Sequence, residues 1–284
     1  MVKVKATVHG AVSIVNAIAT QKGATLGIEL EVNATIETTP GKGITIQSEN
    51  KSLSSRLINK TIEKILSKKD IDENKIEITL ESQIPTGYGL KSSSAISSAV
   101  ALACSKIFKP KLTDKQILLS GVEASIESKV SITGAYDDAC SCYYGGFNVT
   151  DNFKRNRITS ENAPVNLIAV IFIPKNRKRG NLKNLKILSP VFESAWELAK
   201  KGDYWNAMNI NGLATSATLD SDPKIMINLL EKGAYGASVS GNGPSIAAIT
   251  KKENESNIKK VFSTLEGSVI VSKINNKKAE VHEL

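Results

Sequence analysis

Histidine is nearly missing: His9 and His282 are the only two in 284 residues. That disfavours a Ser-His-Asp triad or a His-rich metal centre, so any metal ion is expected on oxygen ligands. Cysteine is equally sparse. Cys104, Cys140 and Cys142 make an odd count without a C-x-x-C pair, and Cys104 lies in an apolar run, which points to buried thiols rather than disulfides or zinc. Aromatic residues are 5% of the chain, too few to suggest stacking platforms for nucleic acid. Neither Val2 to Val8 nor Leu167 to Ile173 approaches the roughly 20 apolar residues of a membrane span. The N-terminus alternates like a strand rather than reading as a signal peptide, so a cytoplasmic protein without a membrane partner is expected. The P-loop pattern G-x-x-x-x-G-K-[ST] is absent, and Gly87-x-Gly89 lacks the third glycine of the dinucleotide fingerprint, with Ser92 in its place.

What is present is a phosphate-binding pattern of another kind. Pro85-Thr86-Gly87-Tyr88-Gly89-Leu90-Lys91-Ser92-Ser93-Ser94-Ala95 leads from the alternating segment Ile76 to Leu80 into the small apolar run Ile96 to Phe108. Glycines let backbone N–H groups close on an anion, and the free N–H groups of a following helix add the positive end of its dipole. One of the three serine hydroxyls can cap that helix, which leaves others for a phosphate oxygen or a magnesium ion. A serine-capped helix after a glycine loop would look the same in isolation.

A second constellation is Thr133-Gly-Ala-Tyr-Asp137-Asp138 with Gly145-Gly146 closing the segment, and a third is Ala237-Ser-Val-Ser240-Gly241-Asn-Gly243-Pro-Ser245. Alone, the second reads equally as an Asp-capped helix and the third as a hairpin turn. Asn16, in the apolar stretch Gly10 to Ala24, needs hydrogen-bond partners if buried. Lys175 to Lys186 concentrates Lys175, Arg177, Lys178, Arg179, Lys183 and Lys186, which suits a solvated loop or a lid over an anionic substrate. The formal charge of +9 would also favour an anionic ligand.

Periodicity predicts strands in the first 47 residues and an amphipathic helix from about Ser52 to Lys68. It also predicts a helix from the Thr113-Asp-Lys-Gln116 capping box to about Ser128, and helices near Pro190 to Lys201, Tyr204 to Thr218 and Pro223 to Lys232. Asn166 to Ile173 reads as a buried central strand. The C-terminus adds a helix near Glu255 to Leu265 and strands at Val269 to Val271 and Ala279 to Val281.

The three glycine-containing segments, in this order, resemble those of the GHMP kinases, the galactokinase, homoserine, mevalonate and phosphomevalonate kinase superfamily. Lys91, where most members carry glycine, is similar to the G-L-K-S-S-S-A form of the archaeal-type shikimate kinases, and Asn16 and the Gly202 to Leu213 segment also look like that form. The resemblance implies an α+β fold of two domains, residues 1–155 like ribosomal protein S5 domain 2 and residues 156–284 a ferredoxin-like α/β sandwich. It implies ATP and Mg2+ as cofactors and shikimate as acceptor, with homoserine or mevalonate as alternatives. The Pro85 to Ala95 loop, Ser240, Gly241 and Gly243 would hold the nucleotide. Ser93 and Glu123, or Glu127 in its place, would hold the metal, Asp138 or its neighbour Asp137 would act on the hydroxyl, and Lys22 could meet an anionic group. A superfamily decarboxylase or a basic nucleic-acid-binding module are the competing expectations.

Overall fold

The computed structural model describes residues 1–48, 53–131, 133–177 and 180–284. The expected helix start at Ser52, and Lys178 and Arg179 of the basic run, lie outside the described residues.

The chain opens with two long strands, β1 (Val2–Val15) and β2 (Lys22–Pro40), followed by β3 (Gly43–Ser48), α1 (Ser55–Ile65), α2 (Lys68–Glu73) and β4 (Asn74–Ser82). Next come α3 (Ser92–Phe108), α4 (Asp114–Glu127), α5 (Tyr136–Tyr144) and the hairpin β5 (Phe147–Asp151) and β6 (Asn156–Glu161). The remainder is β7 (Leu167–Pro174), a 3-10 helix (Leu182–Leu188), α6 (Ser189–Lys200), α7 (Tyr204–Thr218), α8 (Pro223–Glu231), β8 (Gly236–Val239), β9 (Ile246–Lys251), α9 (Glu255–Phe262), β10 (Gly267–Lys273) and β11 (Glu280–Glu283).

Two sheets result. The first has the order β11-β1-β2-β4-β3, with the β5-β6 hairpin also paired to β2. Length explains how β2 serves so many partners: Val32 to Pro40 pairs with β4, while Lys22 to Leu26 pairs with β5. Register breaks against β1 between His9 and Gly10 and between Ser13 and Val15 let this ribbon bend. The apolar stretch after Gly10 continues β1 as far as Val15. The second sheet, β10-β7-β9-β8, is antiparallel throughout.

A cut between residues 155 and 156 would pass through the β5-β6 hairpin, whose two strands share the first sheet. Sheet membership changes between Glu161 and Leu167, and the last strand returns to pair with β1. Alternation along β7 joins the two halves. Leu167, Ala169, Ile171 and Ile173 pack in the cluster that contains the first sheet, while Ile168, Val170 and Phe172 face a second cluster built with α6, α8 and α9. Phe147 of β5 stacks on Tyr204 of α7 with centroids 3.8 Å apart, and the Trp196 indole of α6 donates to the Thr150 carbonyl at 3.1 Å.

Several helix limits match their sequence signals. Thr113 and Gln116 form the reciprocal capping box at the start of α4, and α7 spans the periodic stretch as expected. The short α2, capped by Ser67 and Asp70, buries no residue and left no apolar period to read. Cys104, Cys140 and Cys142 are buried free thiols, and burial pushes the Cys104 and Cys140 thiols up to about 12. Among the described residues no helix is long and apolar enough to cross a membrane.

Candidate active site

The helix α3 is unusual at its start. Its N-cap is Lys91, in the left-handed conformation at φ 68°, and no side chain caps the helix there. The first N–H groups are thus left for another acceptor, the arrangement that suits an anion. Just upstream, Gly87 and Gly89 also have positive φ, at 84° and 83°. At Gly89 a Cβ would overlap the Ser240 carbonyl oxygen, so only glycine lets the first and third segments meet.

That contact is stitched by side chains. The Ser240 hydroxyl donates to the Gly89 carbonyl at 2.8 Å and accepts from the Ser13 N–H at 3.2 Å. Ser13 Oγ accepts from the Gly241 N–H at 3.0 Å and from Lys91 Nζ at 2.8 Å. The buried Asn16 donates to the Gly241 carbonyl at 2.7 Å, accepts from the Ile18 N–H, and has its own N–H on Asn211 Oδ1. Asn16 thus finds the partners its burial requires.

These segments and α5 enclose a cavity of about 450 Å3. Thr86, Gly87, Gly89 to Ser94, Gly241, Asp137 and Asp138 line it, together with Ser13, Asn16, Ser125 and Thr133. Pro85, Tyr88, Ala95, Ser240 and Gly243 do not. They hold the loops instead: the Ser245 N–H donates to the Tyr88 carbonyl, the Ala95 N–H to the Lys91 carbonyl, and the Gly243 N–H to the Ser240 carbonyl. The Arg177 guanidinium of the basic run lies 5.0 Å from the centre of the Tyr88 ring, and Leu182 after it reaches the cavity.

The adjacent aspartates differ sharply. Asp138 ion-pairs with Lys91 at 2.8 Å and keeps 18% of its side chain exposed to the cavity. Asp137 is 4% exposed; its Oδ1 accepts from Asn152 Nδ2 at 2.6 Å, and its carboxylate packs against Gly23, where a Cβ would overlap it. Burial, with the Asp138 charge beside it, pushes the Asp137 carboxyl up to about 7, although Lys91 and Asn152 pull the other way.

Two expectations need correction. Glu123 and Glu127 do not line the cavity, whereas Ser125, midway between them on α4, does. Two helical positions lie about 200° apart, so both glutamates point outward. There Glu123 meets Arg155 at 3.0 Å and Lys64 at 3.6 Å, and Glu127 meets Lys64 at 2.5 Å. Lys22 likewise stays off the cavity, pairing with Glu193 of α6 and lying 4.8 Å from the centre of the Trp196 ring. Among the described residues no group of three His, Cys, Asp or Glu side chains could hold a metal ion. Ser93, the hydroxyl that the resemblance assigns to the metal, does line the cavity.

Sequence reasoning missed Ser13 and Asn152. Ser13 carries no signal in an apolar stretch, and Asn152 belongs to the polar, basic segment Asp151 to Pro164, which reads as a linker or a long hairpin.

The model of the GHMP kinases N-terminal domain matches residues 56–146, and that of the GHMP kinases C-terminal domain matches residues 188–265. A shikimate kinase from Methanobrevibacter smithii is 38% identical over 278 residues, covering 94% of this chain and 95% of that one. The chain belongs to the GHMP kinases. A second relative called shikimate kinase, from Methanothermobacter thermautotrophicus, is 33% identical over 293 residues and covers 100% of both chains. Among solved GHMP kinase structures, homoserine kinase from Cytophaga hutchinsonii superposes with a TM-score of 0.78 at 21% identity, covering 99% of this chain and 97% of that one. Mevalonate kinase from Methanococcus jannaschii gives 0.75 at 17% identity, covering 96% and 98%. At that identity the likeness concerns the GHMP kinase fold alone.

Proposed function

We propose that the protein transfers the γ-phosphoryl group of ATP to a hydroxyl of shikimate, giving shikimate 3-phosphate. The acceptor rests on the near full-length relationship to archaeal shikimate kinases at 33–38% identity. The chemistry rests on one observation: the ion pair of Lys91 and Asp138 stands at the open head of α3, inside the cavity formed by the three glycine segments.

Phosphoryl transfer asks a protein for positioning and charge neutralisation more than for covalent chemistry. The loop from Thr86 to Ser94 would wrap the phosphates, with the first N–H groups of α3 facing them. Asp138 would orient the acceptor hydroxyl and take its proton as the oxygen bonds to the γ-phosphorus and the bond to the β,γ-bridging oxygen breaks, releasing ADP. Lys91, which donates to Ser13 Oγ and ion-pairs with Asp138, would meet a phosphoryl oxygen with its charge. Magnesium, entering with the nucleotide, would neutralise phosphate charge, and the Ser93 hydroxyl is its proposed protein ligand.

The test is a coupled ADP-release assay with Mg-ATP against shikimate, homoserine and mevalonate. Turnover of shikimate alone is expected. Turnover of another alcohol instead would discard the acceptor and keep the site, and silence with all three would discard both.

A further inference from the structure

Helix α5, which carries Asp138, lacks the usual means of fixing its own start. Its N-cap is Ala135, in the left-handed conformation at φ 51°, and no side chain within the helix or its cap accepts the early N–H groups. A helix end buried without partners is costly, and one bearing a reacting carboxylate must also be held in rotation and pitch. The missing acceptor comes from the turn after β5. Asn152 Oδ1 accepts from the Asp137 N–H at 3.0 Å and from Thr150 Oγ1 at 2.8 Å. Its Nδ2 donates to Asp137 Oδ1 at 2.6 Å, and its own N–H donates to the Gln21 carbonyl at 2.8 Å. Asn152 is 4% exposed, so water does not compete for these bonds.

We infer that Asn152 is a positioning residue for phosphoryl transfer. It caps α5 from another element and, by gripping both the N–H and the carboxylate of Asp137, aims Asp138 at Lys91 and the cavity. The inference rests on the proposed role of Asp138. An amide suits this place because its two ends serve opposite needs: the oxygen takes an N–H and a hydroxyl, and the nitrogen faces a carboxylate. A carboxylate at 152 would still cap the helix but would set two acceptors against each other at the Asp137 oxygen. The charged groups facing that oxygen are Asp138 on α5 and Lys91 at the head of α3, and Gly23 of β2 contributes only backbone.

The experiment compares Asn152→Ala, Asn152→Asp and the exchanged pair Asp137→Asn/Asn152→Asp. The readouts are kcat, the KM for ATP, and hydrogen exchange of the peptide spanning α5. Asn152→Ala is expected to lower kcat at least about tenfold, with the KM for ATP within about threefold of the parent. Asn152→Asp should lose more at pH 8 than at pH 6, where a proton shared with Asp137 restores one bond. The exchanged pair rebuilds every hydrogen bond with the charge on the other side, and it should return kcat to within about threefold. Failure of the exchanged pair to recover, or a change in KM alone, would overturn the inference. Hydrogen exchange keeps the outcome readable if the alanine variant unfolds or if no acceptor is turned over. In the latter case the functional reading fails by itself, and the inference stands only if the α5 first turn loses protection in Asn152→Asp and regains it in the exchanged pair.

Discussion

Two neighbouring carboxylates one peptide apart have been given opposite environments. Asp138 looks into the cavity beside a cation, and Asp137 is buried against Gly23 and Asn152. Asp138→Asn is therefore expected to lower kcat by about 10² to 10⁴ while leaving ATP binding within about threefold, as steady-state kinetics and nucleotide titration would show. A parent-like kcat in that variant would remove Asp138 from the chemistry. Asp137 should instead be visible in stability. Its carboxyl is pushed up to about 7 in the folded chain from an ordinary value near 3.8, so the folded state keeps a proton that the unfolded chain releases. Stability from this group thus declines as pH rises from about 4 to about 7 and stays reduced above that range. Asn at this position cannot titrate and can keep its oxygen towards Asn152 Nδ2. The Tm of Asp137→Asn relative to the parent should climb by a few degrees between pH 4.5 and pH 8. A difference independent of pH would show that Asp137 ionises normally.

At the level of elements, the site depends on how closely loops and helix ends can approach. Gly89 combines a φ of 83° with contact against the Ser240 carbonyl oxygen, so Gly89→Ala strains the backbone and pushes the first and third segments apart. The expected cost is more than about 1 kcal/mol in denaturant unfolding, with a raised KM for ATP. A loss of stability with unchanged KM would mean that loop apposition does not shape the nucleotide site. Thr113→Ala removes one half of the capping box on α4, far from the chemistry in role. About 1 kcal/mol of stability should go with it and kcat should remain at the parent level, as chemical unfolding and the coupled assay would show. These two elements also show what could be read in advance. The capping box is local, since three residues and their spacing contain the whole interaction. The glycines and serines of the Pro85 to Ala95 loop are local in the same way, but the loop's partner Ser240 lies 151 residues from Gly89 and nothing local announces their contact.

Across the whole molecule, one core cluster runs from the first sheet through α5 to β7, α6 and α7, and the Phe147 ring against Tyr204 and Trp205 sits where the halves meet. Phe147→Ala should cost about 3 to 5 kcal/mol, and calorimetry should still show a single transition, because neither half buries its facing surface alone. Two separated transitions would mean that the halves fold independently.

The sequence by itself determined what short-range chemistry controls. Strand alternation, helix periods, the α4 capping box and the glycine segments all sit within a few residues of their causes, and the three segments in their order carry the resemblance to the GHMP kinases. The tertiary structure alone decided which of the candidate side chains meet. It turned Glu123 and Glu127 outward onto Lys64 and Arg155, paired Lys22 with Glu193, set Lys91 against Asp138, and brought Asn152 under α5. The physical reason is that a helix face or strand side is chosen by what it packs against. Such contacts join residues tens to hundreds of positions apart, and their distances exist only once the sheets have closed on one another.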